Sequence, residues 1–73
     1  MKKQNKTSAV GAMKQTKGRF FGLYLKSGEA INAQFRNETE KTVSVYDRNN
    51  NRKRVINKTS IDHIYTNGRS YAA

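Results

Sequence analysis

The sequence predicts an all-β fold: a small five-stranded β-barrel that follows a basic N-terminal arm without fixed structure. Three observations lead to this prediction. Apolar and polar residues alternate through most of the chain after residue 19, which is the period of a half-buried strand. Gly and Asn residues that favour turns separate these runs at short intervals. The chain of 73 residues contains no proline, and closing the barrel would remove the exposed edges of so small a sheet.

Residues 1–18 form the predicted arm. The first 19 residues carry no acidic side chain, and their basic residues are Lys2, Lys3, Lys6, Lys14, Lys17 and Arg19. Such a segment buries too little apolar surface to offset the entropy lost on ordering, so we expect it to be disordered. A short helix across residues 8–15, with Ser8 as its N-cap, is the alternative.

The predicted barrel spans residues 19–67, and a loose tail, residues 68–73, follows it. The five expected strands cover residues 21–26, 31–36, 42–46, 52–57 and 61–66. Residues 47–51 form a turn, because Asp and Asn tolerate the left-handed backbone. Residues 58–60 form a single helical turn. An open sheet packed on an N-terminal helix is the alternative to the closed barrel.

Several short motifs follow one another in this predicted barrel. They are the strand and hairpin at residues 21–28, then Val45-Tyr46-Asp47, then Arg54-Val55-Ile56, then residues 61–64. Their order resembles that of the small Sm-like, SH3-type barrels of phages and bacteria, over residues 20–66. The resemblance implies an SH3/Sm-like barrel that binds RNA, DNA or a protein segment. This sequence has Ala30-Ile31 where those barrels often carry an arginine after the first hairpin.

The charge balance predicts an anionic partner. Lys and Arg number 15 and Asp and Glu number 5, which gives a net charge of +10. Small soluble domains usually carry a net charge of about 2–8 in magnitude. An excess of this size attracts anions over a long range. Solubility alone is the alternative explanation of the charge.

The composition argues against several other classes of protein. There is no Cys and only one His, His63, so we expect no metal site and no cofactor. No apolar run approaches the roughly 18 residues of a membrane span. The apolar stretch at residues 9–13 is shorter than a signal-peptide core, so we expect no export and a cytoplasmic location.

No enzymatic activity is predicted either. Glu38 and Glu40 alternate in an expected loop, but a general acid/base pair needs a pocket that separates two pKa values. Asp62 and His63 are neighbours in sequence, and adjacent strand residues point to opposite faces, so Asp62 is not expected to orient His63.

Nucleic acid, as RNA or single-stranded DNA, is the leading predicted partner. Arginine can fork onto phosphate oxygens and tyrosine can stack on a base. The predicted binding residues in the barrel are Arg48, Arg52, Lys53, Arg54 and Tyr46, with Tyr24 and Lys26 on the first strand. The basic residues of the arm, Lys2, Lys3, Lys6, Lys14 and Lys17, together with Arg19, would follow the phosphate backbone. Alternatively, the tyrosines are core-edge residues and the basic run protects a sheet edge.

A protein partner is the competing prediction. A phage-encoded protein of this kind could modulate an acidic host protein by docking its basic face or by adding a strand to a sheet edge. Phe20 precedes the inward-facing Phe21 and should therefore point outward. Together with Tyr24 it would form a small apolar patch suited to such a partner.

Overall fold

The computed structural model describes residues 7–73, and in them one short helix precedes six antiparallel strands of a single sheet. The elements are α1 (Ala9–Gln15), β1 (Phe20–Leu25), β2 (Ala30–Glu38), β3 (Thr42–Asp47), β4 (Arg52–Asn57), a 3-10 turn (Lys58–Ser60), β5 (Ile61–Thr66) and β6 (Arg69–Ala72). The prediction of a β-rich fold is confirmed. Lys2, Lys3 and Lys6 lie outside the described residues, so their role stays a prediction.

One face of the sheet is apolar, and we call it the inner face. Its buried residues are Phe21, Leu23, Leu25, Ile31, Ala33, Val43, Val45, Ile56, Ile61 and Ile64. The strand register aligns these side chains, since Leu23 pairs with Ile31 on one side and with Ile64 on the other. The opposite, solvent-facing side is called the outer face.

Helix α1 covers the inner face. Its buried residues Ala9, Ala12 and Met13 are three and four residues apart, which places them on one side of a helix. Ser8 caps the helix, because its Oγ accepts a hydrogen bond from the backbone N–H of Gly11 at 3.1 Å. The prediction of a disordered arm is therefore wrong for residues 9–15, which bury an apolar stripe that the basic composition concealed.

The sheet is open, so the prediction of a closed barrel is wrong. The strand order is β4-β3-β2-β1-β5-β6, and β4 and β6 are the edges of the sheet within residues 7–73. Helix α1 joins the core cluster, so the inner face is covered without a pairing between β4 and β5. This arrangement agrees with the alternative of an open sheet packed on an N-terminal helix.

The sheet has six strands rather than the predicted five, because residues 69–72 pair with β5 instead of forming a loose tail. Asn67 and Gly68 join the two strands with φ values of 53° and 74°. Two successive positive φ values are typical of a tight hairpin turn. Tyr71 pairs with Ile64 and packs against the core, which ties the strand down.

Strand β5 contains one extra residue relative to β1. Ile61 pairs with Leu25, but two residues later the pairing has moved by only one residue along β1, so Asp62 is the extra residue. A β-bulge of this kind changes the face on which the following side chains lie. Ile61 and Ile64 are consequently both buried, and Tyr65 reaches the outer face.

Candidate nucleic-acid interface

The outer face brings ring-bearing side chains from three strands together. Gln34 on β2 pairs with Phe20 on β1 and with Tyr46 on β3. Tyr24 on β1 pairs with His63 on β5. These rings, in chain order, belong to Phe20, Tyr24, Tyr46, His63 and Tyr65. The outer face therefore offers flat apolar surfaces that the core does not use.

Two of these rings, those of Phe20 and Tyr46, each have an arginine side chain lying over them. The rings of Phe20 and Tyr46 meet edge to face, with their centroids 6.3 Å apart. The guanidinium carbon of Arg36 is 5.4 Å from the centroid of Tyr46, and that of Arg48 is 5.1 Å from the centroid of Phe20. Both distances are typical of cation–π contacts. Both arginines are exposed, so an anion can reach their N–H groups.

A second bulge brings Arg36 to this cluster. Phe35 pairs with Val45 whereas Asn37 pairs with Ser44, so Arg36 is the extra residue of β2. Bulges commonly re-aim a side chain in this way.

Tyr24 and His63 form a separate stacked pair. Their rings are nearly parallel, with an angle of 8° between the planes and 4.6 Å between the centroids. Nδ1 of His63 lies 2.9 Å from Oδ2 of Asp62. The expectation that Asp62 and His63 point apart is therefore wrong, because the bulge at Asp62 interrupts the alternation of the strand.

Among the described residues 7–73, two shallow grooves on the outer face share a border. The first has a volume of about 410 Å³ and is lined by Phe20 and Tyr65, among others. The second has a volume of about 250 Å³ and lies beside Tyr24. Gly22 and Asn32 line both grooves, so the two form one continuous depression.

Arg54 lies on the inner side of β4 and bridges two carboxylates. It donates hydrogen bonds to both oxygens of Glu29, at 2.7 and 3.2 Å, and its Nη1 is 3.6 Å from Oδ2 of Asp47. Arg54 lowers the pKa of Glu29 through these hydrogen bonds. Asp47 is buried and its pKa is also lowered, first by the side-chain hydrogen bond from Asn50. The guanidinium of Arg54 thus stabilises the fold, and this argues against its predicted role in binding phosphate.

Glu38 joins α1 to the 3-10 turn after β4. Its Oε1 contacts Nζ of Lys14, and its Oε2 lies 2.6 Å from Nζ of Lys58. Hydrogen bonds from Lys14 and then Lys58 lower the pKa of Glu38. Lys14, which was predicted to bind nucleic acid, therefore forms an ion pair with Glu38. The carboxylates of Glu29, Glu38 and Asp47 are all bound away from the outer face.

The predicted site residues divide between the two sides of the sheet. On the outer face or in the turns that border it are Tyr24, Tyr46, Arg48 and Lys53, with Lys17 and Arg19 in the connection from α1 to β1. Gln34 Nε2 donates to the carbonyl of Gly18 at 2.6 Å, which holds that connection against the outer face. Arg52 pairs with Asp47 and lies on the inner side of the sheet, as Arg54 does. Lys26 is exposed in the turn between β1 and β2.

The outer face also contains residues that the sequence-based site prediction lacked. Asn32 and Arg36 alternate in the sequence with the apolar residues Ile31, Ala33 and Phe35, so their outward direction was readable from the sequence. The contact of Arg36 with Tyr46 depends on the bulge in β2, which has no evident sequence signal. Tyr65 reaches the outer face only because of the bulge at Asp62.

Acid is expected to destabilise the fold through the paired carboxylates. The pKa values of Glu29, Glu38 and Asp47 lie below their ordinary values of 4.5, 4.5 and 3.8. The unfolded chain therefore takes up protons before the folded chain does. The stabilisation is complete above about pH 5 and is lost as pH falls through the lowered pKa values.

Thermal melts at neutral pH and at about pH 3 test this expectation. In Glu38→Gln the difference in Tm between the two pH values should be smaller than in the wild type. Glu40→Gln is the matched control, since it removes an exposed carboxylate of the turn between β2 and β3 and the same charge. An equal difference in Tm for the wild type and Glu38→Gln would contradict the role of Glu38.

The comparisons with known proteins give no relative to reason from. No protein-family model, curated protein or solved structure matches the chain. Within residues 7–73, no helix is both long and apolar enough to cross a lipid bilayer. The function is therefore inferred from the geometry of the outer face.

Proposed function

We propose that the protein binds single-stranded nucleic acid, RNA or DNA, through its outer face and has no catalytic activity. The observation that carries the proposal is the contact of exposed arginines with aromatic rings on one surface, Arg36 on Tyr46 and Arg48 on Phe20. Arginine binds phosphate oxygens with its fork of N–H groups. Aromatic rings stack on bases of any sequence. Both recognition chemistries are thus available side by side.

The distribution of charge supports the same proposal. The chain has a net charge of +10, and three of its five acidic residues are bound to cations or amides elsewhere. Lys53 pairs with Tyr46 across the strands and adds a cation on the outer face. Arg19 lines the first groove. An excess of positive groups along an aromatic surface is typical of sites for single strands.

The resemblance to Sm-like, SH3-type barrels supports the same class of function. Members of that family bind RNA, DNA or protein, and the motifs at residues 21–28, 45–47, 54–56 and 61–64 carry the resemblance. We extend the proposal to a distant relationship with that family, in which the sheet has stayed open. We further propose that the protein is phage-encoded and acts in the cytoplasm of its host.

Binding of an acidic host protein is the second candidate function. One observation favours it: strand β4 is an edge of the sheet, and Val55 on it is 68% exposed. A partner could add a strand to this edge through backbone hydrogen bonds.

Fluorescence anisotropy with labelled single-stranded RNA, single-stranded DNA and duplex DNA tests the proposal. We expect binding to both single strands to persist at near-physiological salt and to exceed binding to the duplex. Binding that disappears equally for all three probes as salt is raised would mean that the charge acts only as a polyelectrolyte. A pull-down from host lysate would then test the protein-binding alternative.

The double variant Arg36→Ala/Arg48→Ala tests the site itself. It should weaken single-strand binding and reduce the slope of log K against log salt by about one for each phosphate that the variant no longer binds. Lys41→Ala/Arg69→Ala is the matched control, because it removes the same charge from exposed residues off the outer face. Equal weakening by both double variants would rule out a localised site.

A further inference from the structure

Gly22 occupies the centre of the outer face without a backbone reason for a glycine. It pairs with Asn32 on β2 and with Tyr65 on β5. Its φ is not positive, unlike that of Gly18, Gly28 and Gly68, so other residues could adopt the same backbone. A glycine inside a strand weakens it and often marks a place where a ligand approaches the backbone closely.

The missing side chain leaves space for rings. A Cβ at position 22 would lie 3.1 Å from Cε1 and 3.4 Å from Oη of Tyr24, so the ring of Tyr24 extends along the strand over the glycine. Position 22 also lines both grooves, as Asn32 does. Any side chain here would therefore push Tyr24 aside and fill the junction of the two grooves.

We propose that the two grooves joined at Gly22 receive two successive unpaired bases of a single strand. This inference rests on the proposed function and assigns it a site. One base would stack in the first groove, which Phe20 and Tyr65 border. The next would lie against Tyr24, whose ring His63 holds from one side by stacking.

Polar groups at the junction suit the edges of bases. Asn32 is exposed and borders both grooves, and its amide offers one donor group and one acceptor to a base edge. The backbone N–H of Arg48 donates to the carbonyl of Asn32 at 2.9 Å, so Arg48 follows the junction on one side. Arg19 also lines the first groove. The bases would thus lie between cations that can bind the connecting phosphates.

This geometry selects unpaired bases. In a duplex the base faces are stacked on their neighbours, and a side chain can stack on a base only where it is unstacked. The rings of the outer face offer their stacking surfaces only to such bases. Both RNA and DNA single strands meet this requirement, and the 2′-hydroxyl distinguishes them.

The test compares Gly22→Val with the wild type on two labelled probes of equal length and charge. One probe is an intact single strand. The other has the same backbone, but every nucleotide is replaced by an abasic site. Valine favours strands, and the atoms that a new Cβ would meet belong to the movable end of Tyr24, so the variant should fold. Ser44→Val is the matched control, with the same residue added on the outer face but on β3, away from the grooves.

The wild type and Ser44→Val should bind the intact strand about tenfold or more tightly than the abasic strand, and Gly22→Val should lose this preference. The arms with RNA and DNA show which backbone is preferred. A wild type that binds both probes equally would overturn the base site and leave phosphate binding intact. A wild type that binds neither would overturn the proposed function itself.

Retention of the full preference by a folded Gly22→Val would show that the bases bind elsewhere, and this would overturn the inference. Circular dichroism and a thermal melt establish whether the variant folds. If it does not, Asn32→Leu replaces it, because Asn32 is exposed and lines the same junction. A preference for the intact strand that survives in Asn32→Leu would equally overturn the site.

Discussion

Replacing Met13 with alanine is expected to lower the free energy of unfolding by about 2–5 kcal/mol. Met13 has no exposed surface and lies in the core cluster with Ala9 and Ala12. The truncation leaves a cavity between α1 and the inner face of the sheet. A domain of this size has a total stability of roughly 4–11 kcal/mol, so the loss should be a large part of it.

Urea denaturation followed by circular dichroism measures this loss, with Gln15→Ala as the matched control. Gln15 lies in the same helix and is exposed. Both substitutions introduce alanine, which has the highest helix propensity, so only the change at Met13 removes packing. Equal stability of the two variants would mean that α1 does not dock on the sheet and that the arm is disordered after all.

The helix was hard to predict because its apolar stripe is small. Ala9, Ala12 and Met13 bury little area each, and the basic and polar residues around them dominate the composition of residues 1–18. A composition argument averages over such a segment and favours disorder. The cap at Ser8 was the readable signal, and the structure bears out the helix that it indicated.

The strands were better predicted than their arrangement. Period-two alternation identified β1, β2 and β3, since each buries alternate residues over much of its length. Strands β4 and β5 were identified from a few apolar residues, of which Ile56, Ile61 and Ile64 are buried. Closure depends on strand order, which alternation does not encode. Strand β6 escaped prediction because its four residues include a single large apolar side chain, Tyr71.

The basic run at residues 52–54 shows why the site was only partly predictable. In the sequence Arg52, Lys53 and Arg54 form one patch. In a strand, neighbouring side chains point to opposite faces. Lys53 therefore lies on the outer face beside its cross-strand partner Tyr46, whereas Arg54 lies on the inner side and binds Glu29. The direction of each side chain was readable, but the ion pair joins residues that are 25 positions apart and needed the fold.

The position of Tyr65 depended on a bulge that the sequence indicated only indirectly. Strict alternation from Ile61 would place Tyr65 inside and Ile64 outside. Burial of both isoleucines is more favourable than burial of one, because each contributes about 1.5–3 kcal/mol when removed from water. The extra residue Asp62 allows both isoleucines to be buried and leaves Tyr65 on the outer face, 50% exposed.

Tyr65→Ala is accordingly expected to weaken the binding of a single strand by about 1–3 kcal/mol, or roughly 5- to 150-fold in Kd. The ring of Tyr65 lines the first groove together with Phe20, and stacking on a base would be lost with it. Half of the side chain is already exposed, so the truncation should change the Tm little compared with a core substitution. The measurement is an anisotropy titration at fixed salt, since the net charge does not change.

Two further variants separate stacking from other roles of the ring. Tyr65→Phe keeps the ring without the hydroxyl and should retain wild-type affinity if stacking is the interaction. Val55→Ala removes another exposed apolar side chain, at the edge strand β4 and outside both grooves, and should bind as the wild type does. If Val55→Ala weakens binding as much as Tyr65→Ala, the nucleic acid does not bind in the groove that Tyr65 lines. If neither variant changes it, phosphate contacts alone account for the affinity, because removing a stacked ring at unchanged charge must otherwise cost binding energy.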